Sequence, residues 1–304
     1  MNKHNNVKKN SLAKGLTILF LSVFCMQSAG FAEDKPNSKF EGVQIGTITY
    51  SYRSMPDQSL QAILDYTVQS GISSVELMGN PVEKYAGIPD SKNAEVLKKW
   101  RTSVSMDKFK DIREMFDKKG VKIHILKLGN HTWSDEEIDY AFHVAKVLAA
   151  KGISMEISEE AAKRMGPFAE KHQSYVIFHN HLQPADPKFS FDRVLAYGPR
   201  IMLNFDAGHY YGATGLNPCD LIQRLHERIV SIHIKDKTGP DAAEPNKNME
   251  FGEGQTPVKE ILQMIKKNKW PIYCDIELEY EIPQGSDAVK EVIKCTDYCK
   301  KAFL

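Results

Sequence analysis

The sequence predicts an α/β protein, a single-domain (β/α)8 TIM barrel behind an N-terminal signal peptide, and three observations predict it. Short β-prone apolar runs alternate eight times with helix-sized segments. Removing 32 leader residues from 304 leaves about 272, near the ~250 residues typical of one such barrel. Side chains that bind metals or move protons gather at the carboxyl ends of successive runs, the face on which barrel active sites lie.

Residues 1–32 read as a secretory leader. A basic opening (Lys3, Lys8, Lys9, Lys14) precedes the apolar run Leu16–Met26, and the small residues Ser28-Ala29-Gly30 lead through Phe31-Ala32 to Glu33. The apolar core is about eleven residues, where roughly twenty are needed to cross a bilayer. An exported protein without a membrane span is therefore expected, periplasmic or secreted. Phe24 before Cys25 departs from the small residue that lipoprotein processing prefers, which argues against lipidation. Residues 33–40 are polar and expected to be a flexible N-terminal segment, and 41–304 form the barrel with no linker dividing them. With 40 basic and 39 acidic side chains the net charge is +1, which gives no reason to expect a nucleic-acid partner and leaves the oligomeric state open. Cys219, Cys274, Cys295 and Cys299 read as scattered buried thiols, and the helical spacing of the last two is awkward for a disulfide.

In chain order, strand one is Val43–Tyr50, followed by a helix over Asp57–Ser70 that Gly71 stops. Strand two is Ile72–Leu77, then a long connection, Asn80–Asp107, leads to a helix ending near Lys119. Strand three is Val121–Leu128, and its helix opens at Ser134 with Glu137 completing a capping box. Gly152–Ile157 and Tyr175–His179 are strands four and five, with helices over Ser158–His172 and near Phe191–Tyr197. Ile201–Phe205 and Ile229–Ile234 are strands six and seven, joined by one helix-sized segment. Ile272–Glu279 is strand eight, and Asp287–Lys301 closes the chain. The connections Asn80–Asp107 and Asp236–Thr256 are long enough to be binding loops. The second contains Gly252-Glu253-Gly254 and is expected to close over a ligand.

Together the strand ends carry Glu76, Lys127, Glu156, His179, His181, Asp206, His209, His233, Lys235, Asp236, Glu277 and Glu279. Any one histidine would more often be a structural residue, but strands five to eight are barrel neighbours and each ends in His, Asp or Glu. Nitrogen and oxygen donors together suit a divalent transition metal (Mn, Co, Zn or Fe) better than magnesium or calcium. His179, Asp206, His233 and Glu277 are the expected ligands, with His181 an alternative to His179 because residues two apart on a strand face the same side. Glu277, His181 and Glu156 are candidates for moving a proton. Glu76, Lys127, His209, Lys235, Glu253 and Glu279 are expected on the substrate side.

The ordered motifs Ser-Val-Glu76-Leu, His179-Asn-His181, Asp206-x-x-His209, His233-Ile-Lys235-Asp, Gly-Glu253-Gly and Ile-Glu277-Leu-Glu279 resemble the sugar phosphate isomerases and epimerases of the xylose-isomerase-like barrel superfamily, over essentially the mature chain. The resemblance implies metal ligation by Asp206, His233 and Glu277 and substrate contacts by His209 and Lys235. The sequence departs from the family at strand five, where many members place a glutamate and this chain has Phe178-His179-Asn180-His181. That puts a two-glutamate proton relay in doubt. The expectation is proton abstraction next to the carbonyl of a small sugar, giving isomerisation or epimerisation. Two alternatives stand beside it: elimination from a 3-keto-glycoside through the same enediolate, and a non-catalytic sugar-binding barrel.

Overall fold

A computed structural model describes residues 1–2 and 35–304, so the expected leader lies outside the described residues apart from its first two. Eight parallel strands carry the fold: β1 (Val43–Ile48), β2 (Ser74–Met78), β3 (Lys122–Lys127), β4 (Gly152–Glu156), β5 (Tyr175–His179), β6 (Ile201–Asp206), β7 (Ile229–Ile234) and β8 (Tyr273–Ile276). Neighbours in sequence are neighbours in the sheet, and β8 pairs back onto β1, with Cys274 opposite Ile45, to close a TIM barrel. β6 and β7 are buried along their whole length, as strands covered on both faces must be.

Helices sheathe the barrel, and local signals start them. The Ser134–Glu137 capping box forms as expected, Ser59 accepts a hydrogen bond from the Ala62 amide, and Asp287 accepts one from Lys290. Their apolar faces, such as Phe109, Ile112 and Phe116 of the Asp107–Lys119 helix, pack on the outside of the strands. Among the described residues no helix is long and apolar enough to cross a membrane. The four described cysteines are buried and unpaired.

Several boundaries differ from the sequence reading. β1 ends at Ile48 because Thr49–Tyr52 winds into a 3-10 turn, and β8 is regular only over Tyr273–Ile276. Two helices, Ala207–Thr214 and Pro218–Leu225, join β6 to β7 where one was expected. The connection after β2 is not structureless. It holds the helices Gly79–Ala86 and Ala94–Arg101, fixed by Arg101, whose guanidinium lies 2.8 Å from Glu83 and 3.1 Å from Glu137. Residues 35–40 are also better ordered than a flexible tail: Ser38 is buried and donates to the Ile45 carbonyl, and Lys39–Phe40 pairs antiparallel with β1.

The barrel interior is polar over two layers. In the lower one Ser74 meets His124 Nδ1 at 2.8 Å, His124 Nε2 meets Asp275 Oδ2 at 2.7 Å, and Ser231 donates to the same oxygen. Above it, Glu76 accepts from Ser154 and from Asn204 and lies 2.6 Å from His233 Nε2. All eight side chains are essentially without exposed surface. Such groups are tolerable only when they satisfy each other, because an unpaired buried polar group costs about 1–3 kcal/mol. Gly46 leaves room for the lower layer, since a Cβ there would run into Asp275 Oδ1 and lie 2.9 Å from the Ser74 carbonyl oxygen. Gly46→Ala is therefore expected to destabilise the fold by about 1–3 kcal/mol through overpacking. Urea unfolding followed by circular dichroism measures it.

Candidate active site

The upper polar layer leads directly into a cluster at the carboxyl ends of β5 to β8. Three of the four ligand-type residues follow a polar interior residue two positions earlier: Asn204 precedes Asp206, Ser231 precedes His233 and Asp275 precedes Glu277, whereas the apolar Ile177 precedes His179. Strand alternation puts both members of each pair inside the barrel. Donor atoms of His179, Asp206, His233 and Glu277 all lie within 4.8 Å of one another, and all four residues are buried. His179 Nε2 is 3.2 Å from Asp206 Oδ2, and His233 Nδ1 is 3.0 Å from Glu277 Oε2. The structure thus brings His179, rather than His181, into this group. His179 Nδ1 is buried without a hydrogen-bond partner.

Lys235 sits among the carboxylates. Its Nζ lies 2.9 Å from Asp206 Oδ2, 2.6 Å from Glu277 Oε2 and 2.7 Å from Glu279 Oε2. Burial opposes its charge, but those three carboxylates hold its pKa above the ordinary lysine value. Burial likewise works against ionised Glu277 and Asp206, but Lys235 together with the neighbouring histidines, His233 beside Glu277 and His209 and His179 beside Asp206, outweighs it, so both carboxyls stay below the usual range. His233 is hemmed by Glu277 and Glu76, which keep it protonated well above the ordinary imidazole value despite its burial.

Two groups of paired titratable side chains flank the cluster. On one side Glu156, half-exposed, meets His181 Nδ1 at 3.0 Å and Lys127 Nζ at 3.0 Å. On the other, Glu279 faces Lys235 and, at 3.5 Å, His209 Nε2. Burial would raise the Glu279 carboxyl, but His209 and Lys235 bring it to about 2. A cavity of about 210 Å3 lies over the cluster, walled by Tyr50, Lys127, Glu156, His181, Glu277 and Glu279 among others.

Two expected substrate-side residues lie elsewhere. Glu76 has no exposed surface and supports His233 from beneath, so it cannot reach a ligand in the cavity. Burial opposes its ionisation, but the adjacent His233 and Lys127 bring its carboxyl down to about 2. Glu253 is exposed on the loop after β7 and does not line the cavity. That loop is tethered: it forms a hairpin of Asp236–Lys237 with Asn248–Met249, and the Asp236 carboxylate accepts from the amides of Gly252, Gly254 and Thr256. A Cβ at Gly254 would strike Asp236, so this glycine serves close approach and not mobility. Sequence reading missed the supporting residues Ser154, Asn204, His124 and Asp275. The signal for them was present, as polar residues alternating inside apolar runs.

The hydrogen bond between Glu156 and His181 raises the imidazole above 6.5, against the lesser effect of its burial. A raised folded-state pKa means that the pair's stabilisation is complete below the unfolded value and is lost as pH rises through the folded one. In the metal-free protein, NMR titration of the His181 ring is expected to show a midpoint above 6.5 that falls in Glu156→Gln. A midpoint that does not move would remove Glu156 as its cause.

Comparison with known proteins agrees with the barrel. Residues 154–299 match the family model described as xylose isomerase-like TIM barrel. A sugar phosphate isomerase/epimerase from Parabacteroides distasonis superposes with a TM-score of 0.57 at 19% identity, over 84% of this chain and 93% of that one. The 3-keto-D-glucoside 4-epimerase of E. coli gives 0.58 at 11% identity, over 84% and 98%. The probable 3-DHS dehydratase of Bacillus anthracis gives 0.59 at 16% identity, over 84% and 97%. At these identities the structural likeness establishes the fold. A sequence comparison with curated proteins finds no match.

Proposed function

We propose that this protein is an exported, divalent-metal-dependent enzyme that removes a proton next to a sugar carbonyl and returns it elsewhere, a carbohydrate isomerase or epimerase. The observation that carries the reading is the buried His179–Asp206–His233–Glu277 group with proton-handling pairs on both sides of its cavity. Export rests on the leader-like residues 1–32. The matched family model and the sugar-processing neighbours favour carbohydrate as substrate.

The residues fit a metal. Two imidazole nitrogens and two carboxylate oxygens are a donor set for Mn, Co, Zn or Fe, their donor atoms lie within 4.8 Å of one another, and an ammonium group already lies against the Asp206 and Glu277 oxygens. When bound, the ion supplies Lewis acidity to a carbonyl oxygen. Glu76, hydrogen-bonded to His233 Nε2, leaves Nδ1 turned towards the other donors. Lys235 retains Glu279 as a partner and can donate to a sugar hydroxyl or to negative charge developing on the substrate. Glu277, with Glu279 beside it, is an ionised carboxylate facing the cavity and takes the proton. His181, whose pKa the Glu156 carboxylate raises, returns one on the opposite side.

A histidine, His179, where many members of the resembled family place a strand-five carboxylate favours a second fate for the same enediolate, expulsion of a substituent from the neighbouring carbon. The dehydratase among the structural neighbours is named for a reaction of that type. Elimination needs no returning proton at carbon, so the two fates separate by product.

Asp206→Ala and His233→Ala are each expected to abolish retention of a stoichiometric metal after dialysis while the far-ultraviolet spectrum stays native. Elemental analysis decides, and full retention in both variants would discard the ligand assignment. In heavy water, the metal-loaded protein is expected to place deuterium next to the carbonyl of at least one free sugar or 3-keto-glycoside in a broad panel, and His181→Gln to slow that exchange by roughly 10²–10⁴. No exchange with any substrate would sink the reading. His179→Glu is expected to shift the ratio of epimerised to eliminated product by about a hundredfold if elimination is the native outcome, a change of ~3 kcal/mol in relative barriers.

A further inference from the structure

The cavity over the cluster is small. Its volume of about 210 Å3 falls below the ~300 Å3 at which small-molecule sites usually begin. It does not end there, because Lys127 and Glu156 also wall a second cavity of about 370 Å3 that runs outward past Gly129 and His131 beside the end of β4. His131 in turn is shared with a third, of about 600 Å3, lined by Trp133, Phe168, Pro167, Lys163 and Arg164. The three thus follow one another through shared walls, from the cluster to the Glu159–His172 helix, whose Lys163, Arg164, Pro167 and Phe168 line the outermost.

We propose that this outer groove is a subsite for a second ring joined to the reacting sugar, so that the substrate is a glycoside or oligosaccharide and not a free monosaccharide. The inference rests on the carbohydrate reading above and names the substrate class for it.

The lining has the chemistry of a sugar subsite. A pyranose has apolar C–H faces and a polar rim, and the groove offers the rings of Trp133 and Phe168 together with the polar ends of His131, Lys163 and Thr132. The platform is held in place before any ligand arrives. The Arg101 guanidinium packs 4.0 Å from the Trp133 ring centroid and is itself fixed by Glu83 and Glu137. The turn that carries Trp133 is closed by Asn130, whose side chain accepts from the Thr132 amide and whose carbonyl accepts from the Trp133 amide. A rigid aromatic face loses little entropy on binding, which is how such contacts gain affinity. The glycosidic oxygen would lie near Lys127 and Glu156, the two residues common to the inner and middle cavities.

Isothermal calorimetry on the metal-loaded full chain tests the proposal with gluco-, galacto- and manno-configured pyranoses, each as the free sugar, the methyl glycoside and a disaccharide. At least one disaccharide is expected to bind roughly tenfold tighter than its methyl glycoside, the size of one aromatic contact. Trp133→Ala is expected to remove most of that preference without changing methyl-glycoside binding, and Trp133→Phe to restore part of it. Lys163→Ala, an exposed change on the helix, is expected to weaken the disaccharide alone and guards against a Trp133→Ala variant that fails to fold. Equal affinity for the disaccharide and the methyl glycoside throughout, or a preference that survives both substitutions, overturns the subsite and leaves the carbohydrate reading standing. Binding of no sugar in any form overturns both.

Discussion

Everything chemical in this molecule stands on one carboxylate buried at the barrel axis. Glu76 has no contact with solvent, and against that burial it is kept ionised by His233, Lys127 and Ser154, while Asn204 donates a further hydrogen bond to it. Breaking such an arrangement by removing one partner costs several kcal/mol, since the charge left behind has no water to turn to. That constraint fixes the His233 ring with one nitrogen downward. The other nitrogen then faces Asp206 and Glu277, and the cluster inherits its geometry from the core beneath it.

Charge balance explains the upper part of the site. Asp206, Glu277 and Glu279 crowd within reach of one another, and like charges this close repel strongly. Lys235 answers all three at once. The lysine is thus a buried counter-charge lying behind Glu277 and Glu279, which wall the cavity. Glu156 solves the same problem differently, with Lys127 and His181 as partners at the half-exposed rim. There solvent softens each interaction, and protons can be exchanged with water.

The barrel was legible because its strands are short apolar runs of nearly uniform length and its helices carry ordinary start signals, as at Ser134 with Glu137. β5 and β7 fall on their expected residues, whereas β8 is shorter because pairing stops where Glu277 and Glu279 turn into the cavity. The membership of the cluster could be read from strand order, since adjacent strands ending in His, Asp or Glu must bring those ends together. Depth could not be read. Glu76 and Glu277 look alike as strand-end glutamates, and only the tilt and stagger of the strands put one below the cluster and one in it. Glu253 failed for the opposite reason: Gly252 and Gly254 suggested a moving loop, but a single buried aspartate, Asp236, ties three of its amides down.

The lower interior layer has a bearing on how this sequence can drift. Ser74, His124, Asp275 and Ser231 lie below the cluster and are joined in that order by hydrogen bonds. Exchange of any one for an apolar residue strands its neighbours, whereas exchange of the whole quartet for aliphatic side chains of similar volume would relieve the desolvation of four buried polar groups and fill the barrel in the commoner way. Intermediate sequences are the unstable ones. The four positions consequently behave as a single hereditary unit, and Gly46 is tied to it twice: a Cβ there would meet Asp275 and, even with the aspartate gone, would lie 2.9 Å from the Ser74 carbonyl oxygen.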